Sequence, residues 1–336
     1  MSQRRILITG ATGGLGMALV REALKRGHAV RATGRSQAAG EALTLLGAQF
    51  VRVDLTHSKI DFRELLKDVD SVIHAAALSA SWGPQRAFEL HNIHMTEQLL
   101  DAASRSGVER FVFISSPSIF AAYRDRLAIG EHEAPAFQPL NYYARTKLAA
   151  ERSVLAPRED AMACCAIRPR ALVGPGDRVI LPKLAELAGR KRMPLPRGGR
   201  ALIELTDLRD AAWAICAAEE RVVELTGKAI NISGGSLITV REVAYKLADA
   251  LGKTPQLVSL PVGFARAIAV LSENVALLMR ASREPMLTRY KLATLAYSQT
   301  FDLEPAQRLL GYRPQHDALA TLLAEARQLA TQEKQP

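Results

Sequence analysis

The sequence predicts an α/β protein: a doubly wound parallel sheet with a smaller, mostly helical C-terminal region. Three observations lead there. Short aliphatic runs alternate with longer stretches of helical period through the first half of the chain. A glycine-rich turn follows the first run directly. After Arg168, Pro169, Pro175, Pro182, Pro194 and Pro196 break the alternation into loops and short helices.

The runs Ile6–Ile8, Ala29–Ala32, Gln49–Val53, Ser71–His74, Phe111–Ile114 and Cys164–Ile167 read as strands. Leu15–Arg26, Ala87–Ser106 and Tyr143–Leu155 lie between them with helical spacing. Such alternation makes parallel strands joined by right-handed crossovers, with helices on both faces. Further on, Ala201–Leu205 reads as a strand and Asp207–Glu219 as a helix returning to the main body. From Pro255 the chain is expected to be mostly helical, ending with Ala318–Ala330.

Composition narrows the class. The chain has 336 residues, 48% hydrophobic and 23% charged, which excludes a disordered or collagen-like protein. Cys164, Cys165 and Cys216 are too few for a disulfide scaffold, and no C-x-x-C pair suggests a metal. The first residues enter an apolar strand with no leader pattern, so a reduced, cytoplasmic setting is expected. The net charge of +10 comes from scattered arginines, densest over Gly189–Arg200. Neither a basic helix nor aromatic–basic interleaving is present, so no nucleic-acid partner is expected. A solvated basic surface, or one that meets anionic ligands, fits better. Leu257–Arg283 is apolar but interrupted by Arg266, Glu273, Asn274 and Arg280, which rules out a spanning helix. Packing on the second region, lining a pocket for a greasy molecule and peripheral membrane contact stay open for it.

Chemistry begins at Gly10-Ala-Thr-Gly13-Gly-Leu-Gly16, a turn between a strand and a helix. Gly10 permits the tight turn, Gly13 lets backbone approach a pyrophosphate, and Gly16 permits close helix–strand packing. The helix start offers free N–H groups and partial positive charge to phosphates. The second strand ends at Thr33-Gly34-Arg35-Ser36. A carboxylate there would bind the ribose of NAD. Arg35 instead suits a 2′-phosphate, so NADP is expected, with NAD as the other option. Asp54-Leu55, at the end of the third strand, is placed to meet the adenine. The dinucleotide-binding domain is expected over 1–177, with 206–235 returning to it, and the substrate region over 178–205 and 236–336.

Tyr143 and Lys147 stand four residues apart on one helix face. A free phenol, with a pKa near ~10, is a poor base at neutral pH, and lowering it by ~3 takes about 4 kcal/mol. A cation ~5 Å away at an effective dielectric of ~20 supplies about 3 kcal/mol of this. Upstream, Ser115 and Ser116 end a buried strand where a hydroxyl can orient a substrate oxygen.

Taken together, these motifs resemble the extended short-chain dehydrogenases/reductases, which have a Rossmann-type fold. The resemblance runs through Thr9–Gly16, Asp54-Leu55, His74–Ala77, Asn92, Ser115-Ser116, Tyr143–Lys147 and Arg168–Asp177. It implies Ser116 as catalytic hydroxyl, Tyr143 as acid/base, Lys147 as the residue that tunes it and binds ribose, and Asn92 as support for a water network. The family usually has Gly where Met95 stands, which weakens the Asn92 role. The resemblance also implies cofactor contacts from Gly10, Thr12, Gly13, Gly14, Leu15, Gly16, Arg35, Asp54, Leu55, Ala75, Ala76, Ala77, Tyr143, Lys147, Pro169 and Leu172. Trp82, Ser118 and Arg170 are candidates for substrate.

Ala77–Gly83, Ser116–Ile119, Glu284–Tyr290 and Leu310–Pro314 are similar to the 3β-hydroxysteroid dehydrogenase/isomerase-like branch, which includes bacterial reductases of 2-alkyl-3-oxoalkanoates. The implied activity is oxidoreduction of a 3-oxo or 3-hydroxy group on a hydrophobic small molecule, with a homodimer left open. A nucleotide-sugar epimerase or dehydratase with bound NAD is the alternative, kept by Arg170, Arg178 and Arg197 as diphosphate ligands. A non-catalytic NADP-sensing protein is the third reading.

Overall fold

The computed structural model describes residues 3–57, 60–177, 179–279, 281 and 283–332; Arg178 and Arg280 lie outside the described residues. Seven parallel strands form the main sheet: β1 (Arg5–Thr9), β2 (Ala29–Gly34), β3 (Gln49–Arg52), β4 (Ser71–His74), β5 (Arg110–Ile114), β6 (Ala163–Pro169) and β7 (Ala229–Ile232). Their order is β7-β6-β5-β4-β1-β2-β3. The six expected strands are present within two residues of their expected ends. β7 was not expected as a strand, because Ala-Ile-Asn-Ile is too short to stand out and its pairing with β6 is tertiary.

Period-2 alternation divides each strand between two cores. Ile6, Ile8, Val112 and Cys165 face one side, with helices α1 (Gly14–Lys25) and Leu208–Glu220. Leu7, Phe111, Phe113 and Cys164 face the other, with α2 (Met95–Arg105) and α3 (Tyr142–Leu155). Strand order reverses between β1 and β4, so the crevice where such sheets bind ligands opens above Thr9 and His74. The helix expected over Ala87–Ser106 is interrupted by a π-turn at Glu89–His94, ahead of α2. That turn re-aims Asn92 inward, and helical periodicity carries no sign of it.

A third core is built from segments that follow β6. Helices Ile180–Ala188, Val240–Ala250 and Ala318–Gln332 pack Leu181, Val243, Leu247 and Leu322 together. The stretch 257–283 divides: Gln256–Leu260 is a strand paired with Arg192–Pro196, and Val262–Leu278 is a helix. The helix packs Ala265 and Ala269 onto Leu292 and Ala296. Its Phe264, Leu271 and Leu278 are exposed. Among the described residues no helix is long and apolar enough to cross a membrane.

The C-terminal part is less separate than expected. Gln299–Phe301 pairs with Arg126–Ile129, and Ala306, Leu310 and Tyr312 join the first core of the sheet domain. The Tyr312 hydroxyl donates to Ser233 O at 3.0 Å. Residues 299–312 thus return to the dinucleotide side, inside the span expected to be substrate region. The return depends on contacts with residues far back in the chain, which local pattern does not register.

Candidate active site

β1 ends at Thr9, and the glycine turn follows. Gly10 has φ +66°, and the Gly13 N–H donates to its carbonyl at 3.1 Å. Packing explains three of the glycines. A Cβ on Gly10 would lie 2.8 Å from Ala76 Cα, one on Gly14 2.8 Å from Gly176 O, and one on Gly16 2.2 Å from Gly10 O. On Gly13 it would meet only Gly10 O at 3.5 Å, an ordinary contact. No side chain caps α1, so its first N–H groups are free of side-chain partners. This open cradle at a helix N-terminus fits a pyrophosphate.

A polar chain braces the crevice floor. The Ala76 N–H donates to Thr9 Oγ1 at 3.1 Å, and Thr9 Oγ1 stands 2.7 Å from His74 Nδ1. His74 Nε2 is 3.0 Å from Thr96 Oγ1, whose hydroxyl donates to Asn92 O at 2.8 Å. Burial drives the His74 pKa down to about 3, so the ring is neutral and the donors run in one direction. Sequence reasoning quoted His74 without seeing this role.

Toward the adenosine side, a side chain on Gly34 would strike Thr12, which covers the end of β2. Arg35 is 71% exposed and 4.0 Å from Asp54. The Asp54 carboxyl is held below its usual range, first by the Thr56 hydroxyl that donates to it at 2.7 Å. Leu55 is buried, while Leu15 and Ala75 pack on one core and Ala76 on the other. Ala77 follows in the loop after β4. Pro169 ends β6, and Leu172 pairs with Thr206.

Asn141 starts α3 by accepting the Ala144 N–H at 2.9 Å, which puts Tyr143 in the first turn. The phenol interacts with the hydroxyls of Ser116 and Ser79, but burial outweighs them and raises its pKa to about 12. The ammonium of Lys147, 2% exposed, lies 4.0 Å from the Phe113 ring centroid, and burial lowers its pKa to about 7. One turn further, Glu151 is taken by Arg168 in a buried two-pronged pair at 2.8 and 2.5 Å.

Ser116 accepts the Ser118 N–H at 3.2 Å and donates to the Ser118 hydroxyl at 2.9 Å. Asn92 is fully engaged: Oδ1 accepts the Leu78 N–H at 2.8 Å and Nδ2 donates to Thr146 at 3.0 Å. It ties the loop after β4 to α3. Trp82 donates from Nε1 to Ala281 O at 3.0 Å, closing that loop onto the C-terminal region. Arg197 is held by Asp125 at 3.0 Å.

The structure adds residues that the sequence did not single out. Ser79 meets Tyr143, and Tyr290 lies near enough that its ionisation would disfavour that of the same phenol. Tyr290 also senses the buried Arg170, as does Glu204. Their signal lay in the motifs Ala77–Gly83 and Glu284–Tyr290, which showed a family likeness but no chemistry. Among the described residues no group of three His, Cys, Asp or Glu could hold a metal.

A doubly wound sheet with an open glycine cradle and a tyrosine–lysine helix beside its crevice defines a class, the nicotinamide-dependent oxidoreductases of short-chain type. The family model described as NAD dependent epimerase/dehydratase family matches residues 6–233, and the chain belongs to that family, the extended short-chain dehydrogenases/reductases. It is therefore an oxidoreductase that depends on NAD(H) or NADP(H). It is 34% identical over 316 residues to the uncharacterized protein YbjS of Escherichia coli strain K12, covering 92% of this chain and 93% of that one. It is 33% identical over 316 residues to 2-alkyl-3-oxoalkanoate reductase of Stenotrophomonas maltophilia strain K279a, covering 93% and 95%. The structure of MoeE5 in complex with UDP-glucose and NAD superposes with a TM-score of 0.75 at 25% identity, over 97% of this chain and 99% of that one.

Proposed function

We propose that the protein is an NADP-dependent oxidoreductase that interconverts a 3-oxo and a 3-hydroxy group on a hydrophobic molecule, a long-chain oxoacid or a sterol-like compound. The observation that carries this reading is the Tyr143 phenol set against the Ser116 and Ser79 hydroxyls beside the crevice. The phenol is protonated at neutral pH and can give its proton to a carbonyl oxygen as hydride arrives; burial, which raises its pKa, opposes that transfer, and the Ser116 and Ser79 hydroxyls act the other way. Ser116 orients that oxygen as a second donor. Lys147, titrating near 7, holds the ribose hydroxyls and places positive charge one turn from the phenol when protonated. Gly13 and the first turn of α1 would hold the pyrophosphate, and Arg35 the 2′-phosphate. When bound, the nicotinamide supplies or accepts the hydride.

The likeness to a 2-alkyl-3-oxoalkanoate reductase supports a 3-oxo substrate. The fold shared with MoeE5 favours the second reading, an epimerase or dehydratase of a nucleotide sugar. The Arg197–Asp125 pair weighs against that reading by occupying one of the arginines it would use. The test is turnover of 3-hydroxy fatty acids, 3β-hydroxysteroids and UDP-sugars with NADP, in the wild type and in Tyr143→Phe. The substitution should lower kcat about a thousandfold with NADP affinity kept. Turnover confined to UDP-sugars, or an undiminished Phe variant, overturns the proposal.

A further inference from the structure

Two arginines leave β6 for the interior, and the structure treats them differently. Arg168 is matched by Glu151 through two hydrogen bonds. Arg170, 8% exposed, has only its backbone committed: its N–H donates to Ile232 O at 2.8 Å and its carbonyl accepts the Thr206 hydroxyl. Among the described residues its guanidinium makes no hydrogen bond and has no carboxylate within ion-pair distance. Its Nε is sealed from solvent without a partner.

The surroundings bring that guanidinium toward the Tyr143 phenol. The Arg170 guanidinium is near enough to Tyr290 to favour ionisation of its phenol, although burial outweighs this and keeps Tyr290 neutral, and Tyr290 is in turn near Tyr143. Glu204 is the nearby acid. It accepts the Phe301 N–H at 3.1 Å, and burial raises its pKa to about 7, so it is a weak counter-charge at neutral pH. A buried, unpaired guanidinium is costly to the fold unless something negative meets it. Its planar fork matches a carboxylate through two parallel hydrogen bonds.

We propose that Arg170, assisted by the Tyr290 hydroxyl, receives a carboxylate of the substrate, next to the carbonyl served by Tyr143 and Ser116. The substrate class is then a 3-oxo or 3-hydroxy acid in preference to a neutral sterol. This rests on the oxidoreductase reading above and deepens it.

The experiment compares 3-hydroxydecanoate with its methyl ester as substrates of the full chain with NADP. The wild type should favour the free acid. Arg170→Gln should lower the acid-to-ester ratio of kcat/KM on the order of 30-fold, chiefly by raising KM for the acid. Arg170→Lys, which keeps charge without the fork, should keep part of the preference, and Tyr290→Phe should lose a smaller part. Thermal protection by NADP, retained in each variant, shows that fold and cofactor site are intact. A wild type that turns over acid and ester equally overturns the carboxylate site while leaving the oxidoreductase reading standing. Equal loss on both substrates in Arg170→Gln does the same. A wild type that acts on neither but on UDP-sugars overturns both. Should Arg170→Gln fail to fold, the wild-type ratio and Tyr290→Phe still decide.

Discussion

The floor and the roof of the crevice are built under different constraints. On the floor, backbone meets backbone: Gly10 lies against Ala76, Gly14 against Gly176, and Gly16 against the turn that precedes it. Residue identity there follows from missing space, and the glycines themselves sit close together in sequence, although the backbone they meet at Ala76 and Gly176 lies far along the chain. Above it, Ser79, Arg170, Glu204 and Tyr290 converge from four separate segments, and charge and burial set their chemistry. The contrast teaches that a cradle shaped by sterics is local and rigid, while a pocket shaped by side-chain charge is long-range and tunable.

Substitutions can break or sharpen this contrast. The largest effect is expected at Gly16→Val, whose Cβ would sit 2.2 Å from Gly10 O. It should cost about 3 kcal/mol or more, read as a lower denaturant midpoint. Gly13→Ala, with its nearest contact at 3.5 Å, should change stability by less than about 0.5 kcal/mol yet weaken NADP binding. Equal destabilisation by the two would mean that packing alone chose both glycines.

On the roof, Glu204 gives a pH signature. Its carboxyl would ionise near 4.5 in the unfolded chain but near 7 in the fold. Between these values the folded state keeps a proton that the unfolded state has lost, so stability falls as pH rises from 4.5 to 7. The full effect is about 3 kcal/mol. Glu204→Gln should remove that slope and be the more stable form at pH 8, as unfolding curves at several pH values would show. An unchanged slope would assign it to other groups.

A smaller effect than that of Gly16 or Glu204 is expected at the rim. Arg35→Asp should shift the ratio of NADP to NAD affinity about tenfold toward NAD, measured by titration of each cofactor. An unchanged ratio would separate Arg35 from the 2′-phosphate.

Legibility in the sequence followed the same division. The glycine turn, the strands through β6 and the Tyr143–Lys147 spacing were readable because each is a local pattern with one physical meaning. The state of Tyr143 was not. A four-residue spacing puts an ammonium on the same helix face, but it does not say that Lys147 turns to the Phe113 ring or that burial outweighs every neighbour of the phenol. Asn92 was found as a residue, yet its commitment to Leu78 and Thr146 depends on a π-turn that helical periodicity hides. Residues 299–312 fall within the expected substrate region, yet Phe301 packs with Ile119, Phe120, Ile129 and Leu148, and Tyr312 joins the first core of the sheet.

By itself, then, the chain determined a doubly wound sheet, a phosphate-binding turn at its start and a tyrosine–lysine helix in the proper order, since steric allowance and apolar period act over a few residues. Tertiary structure alone decided which buried charges are satisfied. Arg168 found Glu151 and Arg170 found no carboxylate within ion-pair distance among the described residues, although the two stand two residues apart, because a counter-charge is recruited through space and desolvation is set by every segment that closes over it.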